Sequence, residues 1–498
     1  YSTASGITDR PEPMENLRAN CAWSSGFDEA SVNLSTKAPD AMIQAKAIDP
    51  CALNCGQQGA YWLHGEVSLE PGQKKEWVIV LDSDLDAAEI AQRIEELDTN
   101  DGQELVKDAI DSNAAELVRL LASADAFQCV NDSMSQIHHT ANVLFNSMRG
   151  GVFINGYDIK GEHLQAHFKQ ANRRLYNLHK IALSSLNGWM NYKECRSQIE
   201  ALNDLDLLRL FLEYLPLTFS RRHGDPSRPW NKFAIKTNDS DGNPCMAYQG
   251  NWRDIFQNWE SLCLSYPLFL KHVVAKFLNT STMDGYNPYR ISDSGFDWEE
   301  IDADDPFSGI GYWGDHQIVY LLRLIEALRA HEPEVLNKWL DERIFVFANV
   351  PYRIKSLEAI FDNPKSTIIF DSELSAKLRL QAKEKGSDSA LLRSTDASIH
   401  KANLTEKILI PMLVKLSNFV PGGGIWMNTE RPEWNDANNA LVGNGLSMVT
   451  AGHLLRYVGF CRDWWSQLDH DKQISMSAPV ADFVDSLLSI FSNKNTDS

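Results

Sequence analysis

Hydrophobic and polar positions divide the chain into three regimes. Residues 1–60 are polar, are interrupted by Pro11, Pro13, Pro39 and Pro50, and hold no sustained period, so they read as loops and short strands. From Ala60 to Asp82 the period is two. Trp62, His64, Glu66 and Ser68 alternate with Leu63, Val67 and Leu69, a Pro71-Gly72 turn follows, and Trp77–Leu81 is apolar. That pattern predicts two strands joined by the turn, as at the end of a β-domain. From Ala87 the period becomes helical, with Ile90, Ile94 and Leu97 on one face, and it continues over 103–126. The expected organisation is a β-rich region over residues 1–85, then a helical linker over 86–132 and a main domain over 133–498.

The main domain is dominated by apolar faces of helical period. Helices are predicted over 134–148, 161–186, 196–217, 252–278, 315–331, 335–342, 405–418, 442–458 and 479–492, several with a face broad enough to be packed between neighbours. Loops rich in Gly, Pro and Trp separate them at 149–160, 219–251, 280–314 and 419–439. Irregular segments of that length inside a compact domain are usually functional. The stretch 343–404 has no clear period, its Lys383–Asp388 part reads as exposed, and no repeat of fixed length is present.

Composition narrows the class. A chain of 498 residues, 43% hydrophobic and 23% charged, is an ordinary globular protein large enough for more than one core. Its formal net charge of −20 argues against nucleic acid or an anionic membrane as partner, since both call for a basic footprint. No apolar run reaches the roughly 20 residues of a membrane span. The eight cysteines are scattered and lack the paired spacing of a zinc site, which suggests reduced, mostly buried thiols in a cytoplasmic protein. The composition allows self-association as much as a monomer. Fourteen tryptophans are many; core packing accounts for most, yet the excess favours a site that stacks flat ligands.

Four stretches carry chemistry. Arg221–Asn231 mixes Arg222 and Arg228 with His223, Asp225 and two prolines; it is either a rigid surface loop with local ion pairs or a loop whose arginines donate to an anion or hydroxyls. In Tyr248–Glu260, Asn251 is placed to cap a helix whose first turns carry Trp252, Arg253, Asp254 and Gln257. Asp254 either compensates the helix dipole or accepts from vicinal sugar hydroxyls. Trp313, Asp315 and His316 stand where a glycine-rich loop turns into the helix at 317, below an aromatic Asp284–Arg290 segment. Finally, Gly422–Asn439 holds Glu430, Glu433, Trp434, Asn435 and Asp436 ahead of another helix. On the bland reading Asp315, and Asp436 or Asn435, are plain N-caps, and Asp254 only compensates the dipole of a helix capped by Asn251. The repetition Trp252-Arg-Asp254, Trp313-Gly-Asp315, Trp434-Asn-Asp436 is what a cap does not require: caps need Asp, not Trp. Three such helix starts at one end of a helical barrel would make an acidic, aromatic-walled pocket suited to sugar.

Those same motifs resemble a known family. Gly250-Asn-Trp-Arg-Asp-Ile-Phe-Gln-Asn258, Gly314-Asp-His-Gln317 and Glu433-Trp-Asn-Asp-Ala-Asn-Asn439 are similar, in the same order, to short elements of the cellobiose and related sugar phosphorylases. The resemblance implies an (α/α)6 toroid of the six-hairpin glycosidase type behind a β-sandwich, with no metal or organic cofactor. It implies Asp436 as general acid of an inverting reaction, Arg253 and Asp254 on the non-reducing-end sugar, and Asp315 nearby. Two departures favour water over inorganic phosphate as the attacking group. Tyr248 and Gln249 stand where the family places a phosphate-contacting arginine, and the family's phosphate loop would fall beyond Ser498. The expectation is therefore an inverting, hydrolytic enzyme on an oligosaccharide or glycoside, from a longer protein. Glu430 and Glu433 are the nearest carboxylates in sequence for the base, and neither is preferred. A phosphorylase and a non-catalytic saccharide-binding helical scaffold are the alternatives.

Overall fold

In a computed structural model the chain is mainly α-helical, with short strands paired in small sheets. The structure describes residues 19–27, 29–48, 53–56, 58–218, 245–288, 290–298, 300, 317–428, 443–469 and 473–492, except the side chains of Asp84, Arg253 and Asp254. Two compact units are formed, Tyr1–Leu120 and Leu121–Ser498. The division falls inside the stretch read as a linker.

The first unit contains β1 (Ala19–Ser25), β2 (Ser31–Ser35), α1 (Ala38–Ile43), β3 (Gly59–His64), β4 (Val78–Leu85), α2 (Ala87–Thr99) and most of α3 (Gly102–Ser123). The expected hairpin is corrected here. Both predicted strands exist, but β3 pairs with β2 and β4 with β1, in each case antiparallel. The turn at Gly72 does form, at φ +85° with Gln73 N–H donating to Glu70 O. The residues between it and each strand make no ladder, and partners come from the polar region upstream, where the period was too weak to show strands. The start of α2 follows its sequence closely: the Asp86 carboxylate accepts from the Ala88 and Glu89 N–H groups, and Glu89 accepts from Asp86 N–H, a complete capping box.

The second unit runs α4 (Ser133–Gly150), β5 (Val152–Phe153), β6 (Asp158–Lys160), α5 (Gly161–Ala171), α6 (Arg173–Leu183), β7 (Trp189–Asn191), α7 (Tyr192–Ala201), α8 (Leu205–Glu213) and β8 (Leu217–Thr218). It continues with β9 (Gln249–Asn251), α9 (Trp252–Ser265), α10 (Leu270–Asn279), β10 (Arg290–Ser292), β11 (Gly295–Asp297), α11 (Gln317–His331) and α12 (Pro333–Trp339). It ends with β12 (Tyr352–Ile354), α13 (Leu357–Asp362), β13 (Ile368–Phe370), α14 (Ser372–Lys385), α15 (Leu404–Ser417), β14 (Phe419–Val420), β15 (Gly424–Trp426), β16 (Leu446–Ser447), α16 (Met448–Trp465) and α17 (Ala478–Ser492).

Three predicted long helices are each two. The 161–186 helix breaks at Asn172, whose side chain accepts from Leu175 N–H and starts α6. The 196–217 helix breaks at Asp204, which accepts from the Asp206 and Leu207 N–H groups to start α8. The 252–278 helix breaks at Pro267, which has no N–H to donate. An apolar period continues across each break, which is why periodicity alone joined the halves. The ambiguous 343–404 stretch resolves into short strands, α13 and α14.

Helix directions follow from the side-chain pairs between them. The α4 residues Asn146 and Gly150 accept from Asn258 and Trp259 of α9. Gln257 and Glu260 of α9 accept from Tyr320 and Arg323 of α11. Glu326 of α11 accepts from Arg456 of α16, and Arg329 lies 5.6 Å from the Phe460 ring and 5.8 Å from that of Trp464. Numbering rises together in every pair, so α4, α9, α11 and α16 run parallel, side by side; α9, α11 and α16 start nearly level, and α4 starts about two turns earlier. Against them lie α10, all ten of whose residues are buried, and α15, nearly as buried. The result is a two-layered helical arrangement with its core between the layers.

After α14, Gly386 takes φ +109°, and a Cβ there would fall 2.3 Å from the Ala171 carbonyl oxygen. Backbone conformation and space both exclude a side chain. Gly386→Ala is expected to destabilise by at least about 2 kcal/mol, read as a lowered thermal midpoint.

Candidate functional site

The site is best followed from the start of α9. Asn251 occupies the N-cap position with extended backbone, but its side chain makes no capping hydrogen bond, and its Oδ1 is buried with no partner among the described residues. The expected cap at Asn251 is therefore one of position only. Trp252, read from sequence as a sugar-stacking group, is fully buried. Its ring packs on Phe256 and Phe277, with centroids 5.1 and 4.3 Å away, and its indole N–H donates to Thr280 Oγ1 at 2.9 Å. This corrects the reading: Trp252 ties the start of α9 to the end of α10 and presents no face to a ligand. Arg253 and Asp254 occupy the first turn of α9. Gln257, one turn on, accepts from Tyr320 O–H at 3.0 Å and so joins α9 to the first turn of α11.

Upstream of that start, β9 is the edge of a three-stranded antiparallel sheet ordered β11-β10-β9. Register places Asn251, Arg290 and Asp297 in one cross-strand row and Gln249, Ser292 and Gly295 in the next. Directly paired residues share a face, so every side chain on this face is polar, Gly295 having none, while Ile291 of the alternate position is buried on the other. The polar face borders a cleft of about 570 Å³, closed on other sides by Gln170, Arg173, Trp298 and Arg379. Asp297 is paired with both Arg290 and Arg379; Arg379 also meets Glu300 at 2.8 Å and lies 5.0 Å from the Trp298 ring centroid. The arginines are thus largely neutralised, and the cleft offers planar hydrogen-bonding groups rather than net positive charge. Beneath it, Lys276 lies 5.2 Å from the Tyr248 ring, and burial pulls its ammonium down to about 8 against the opposing pull of Glu213.

The stretch holding Asp436 leaves the described structure at Asn428 and re-enters at Gly443. Its base is tightly tied. Met427 N–H donates to Gly445 O at 3.1 Å, Gly443 N–H to Met427 O at 2.7 Å, and Trp426 Nε1–H to Gly443 O at 3.0 Å. Beyond the base, β15 pairs with β16, which leads directly into α16. A fourth bond comes from far along the chain: Tyr286 O–H donates to Asn428 Oδ1 at 3.0 Å. Tyr286 lies between the end of α10 and β10, so this bond spans from the base of 429–442 to the sheet that leads into α9. The flanks of all three Trp-plus-Asp stretches therefore meet at one end of the helical layers, where α9, α11 and α16 begin.

Arg222, Arg228, Trp313, Asp315, His316, Glu430, Glu433, Trp434, Asn435 and Asp436 lie outside the described residues. Among the described residues, no group of three His, Cys, Asp or Glu is placed to hold a metal ion, and no helix is long and apolar enough to cross a membrane. The described cysteines are free thiols, and only Cys195, Cys263 and Cys461 of them are buried. Arg173, Trp298 and Arg379 were not singled out by sequence. The available signal was the alternation Arg290-Ile-Ser292, a turn, then Gly295-Phe-Asp297, which spells a small hairpin with a polar face.

Comparison with known proteins bears on one part of the chain. No curated protein matches it. Residues 153–216, spanning α5 to α8 and supplying Gln170 and Arg173 to the cleft, match the family model described as glycoside hydrolase family 149 insertion domain 1. The match is confined to that segment, and what it is similar to is an insertion domain of that family.

Proposed function

We propose that the protein cleaves a glycosidic bond with inversion, from a site at the end of the helical layers where α9, α11 and α16 begin. The observation that carries the reading is the meeting, at that end, of the flanks of the three Trp-plus-Asp stretches. The family match to residues 153–216 supports the class. In this reading the parallel helices belong to an (α/α)6 toroid. Arg253, Asp254 and Gln257 on α9, with Asp315 and His316 before α11, hold the non-reducing-end sugar.

Asp436 is the general acid: its proton passes to the glycosidic oxygen as the C1–O bond breaks, and a nucleophile attacks C1 from the opposite face. With water as nucleophile, a carboxylate such as Glu430 or Glu433 takes its proton. Phosphate is the second reading, favoured by the order of the three motifs; its oxygen would attack C1 and yield a sugar 1-phosphate without a separate base.

The test is sugar release from a panel of glucosides and mannosides, with and without inorganic phosphate. Release independent of phosphate is the expected result. Strict dependence, with sugar 1-phosphate as product, would select the second reading. Saccharide binding without release under either condition would overturn the enzyme and leave a saccharide-binding scaffold.

A further inference from the structure

The cleft beside β9 carries chemistry that the proposed reaction does not use. One wall is the polar face of the β11-β10-β9 sheet, a second comes from the α5–α6 junction, and a third from α14 with the 386–390 turn. These walls are fastened to one another. Asn172 donates to Asp388 Oδ2 at 2.9 Å and Arg209 to the same oxygen at 2.6 Å, so Gln170 and Arg173 are held against Ser387 and Ala390. At the sheet, Trp298 Nε1–H donates to Ser375 Oγ of α14 at 3.0 Å, and Arg379 of α14 pairs with Asp297. The site is therefore built before any ligand arrives, which lowers the ordering cost of binding. Its volume of about 570 Å³ lies within the roughly 300–1,000 Å³ of small-molecule sites.

The lining selects by charge and by shape. Asp297 holds Arg290 and Arg379, Glu300 also meets Arg379 at 2.8 Å, and Arg173 donates to the Glu384 backbone oxygen at 2.8 Å. An anion would have to displace carboxylates already in place. A guanidinium has several N–H donors in one plane, so one that is bound to a carboxylate still has donors for a hydroxyl. The Gln170 carboxamide adds a donor and an acceptor, and the Ser294 and Ser387 hydroxyls act as both. Phe296, half-buried in the same lining, places its ring 6.4 Å from that of Trp298, an apolar surface among the polar groups. An apolar ligand would strip water from these groups without replacing its hydrogen bonds. A sugar matches them, with vicinal hydroxyls at its edge and C–H groups on its faces. We infer that this cleft is a binding site for a short, neutral oligosaccharide. The inference uses neither Asp436 nor any step of the reaction, so it holds equally for an enzyme and for a saccharide-binding scaffold.

Titration calorimetry of the full chain with gluco- and manno-configured tri- and tetrasaccharides tests the assignment, and binding of at least one is expected. Gln170 and Ser294 are exposed and belong to different walls, so substitutions there spare the fold. Gln170→Ala removes one donor–acceptor group and should raise Kd about three- to tenfold. Ser294→Trp places an indole in the cleft and should raise Kd by about tenfold or more. Thermal midpoints should stay at the parent value in both, which separates lost binding from lost fold. Saccharide held at the starts of α9, α11 and α16 would be a second event, untouched by either substitution. Failure of every saccharide to bind, or a titration identical to the parent's in either variant, would overturn the inference. So would a preference of about tenfold or more for an oligouronate or a sugar phosphate over the neutral chain, because guanidinium groups already paired should not draw an anion.

Discussion

Asp436→Asn is expected to lower turnover of an unactivated glycoside by about 10³-fold while leaving saccharide affinity within about threefold. The amide is nearly isosteric with the carboxyl and can still accept a hydrogen bond, but it holds no transferable proton. The barrier therefore rises where the leaving alkoxide would otherwise be expelled unprotonated, and ground-state binding is spared. Two further readouts should follow from the same cause. The high-pH limb of the pH–rate profile, set by loss of the acid's proton, should disappear in the variant. A dinitrophenyl glycoside should recover most of the lost rate, because its leaving group departs as a stable anion. Full turnover by Asp436→Asn on an alkyl glycoside would remove the general acid from Asp436, and the three Trp-plus-Asp starts would revert to helix caps.

What the sequence reveals about this arrangement is uneven, for physical reasons. Helix existence was legible because buried faces of α10, α11 and α15 are long and apolar. Helix breaks were not, since Asn172 and Asp204 interrupt the backbone without interrupting the apolar pattern. Strand pairing was misread for a related cause: the turn at Gly72 was visible, but the partners of β3 and β4 lie in a polar stretch whose alternation is weak. At the site, the clustering of Trp with Asp suggested a stacking role that burial excludes for one tryptophan. Trp252 has a structural use, bridging α9 to Thr280, that composition cannot separate from stacking on a ligand. Tyr286 and Arg379 were illegible because their partners, Asn428 and Asp297, are distant in sequence, and no local spacing encodes such pairs.

The largest stability effect is expected at Arg209, which lies in the segment that matches the family model. Its guanidinium is 1% exposed and donates to Asp388 at 2.6 Å and to Glu213 at 2.8 Å. Asp388, on the short turn after Gly386, also accepts from Asn172 at 2.9 Å. One cation thus joins α8, the α5–α6 junction and the 386–390 turn. Arg209→Met keeps most of the volume and removes the charge, leaving Asp388 with Asn172 as its donor among the described side chains, while Glu213 keeps Asn279 and the attraction of Lys276. Stranding buried charge in this way costs about 3–5 kcal/mol. Arg209→Met/Asp388→Leu should regain much of that loss, because a buried ion pair replaced by apolar groups is often close to neutral. Acid should have a similar effect on the single variant. Burial already pushes the Asp388 carboxyl above its ordinary value against the pull of Arg209, so removing Arg209 raises it further. A carboxyl with a folded pKa above its unfolded one binds more protons when folded, so the folded state gains as pH falls through that window. The gap between Arg209→Met and the parent in urea unfolding should therefore narrow from about pH 8 to about pH 5. A gap that stays constant over that range would mean that the penalty comes from lost packing, and that Asp388 does not carry the stranded charge.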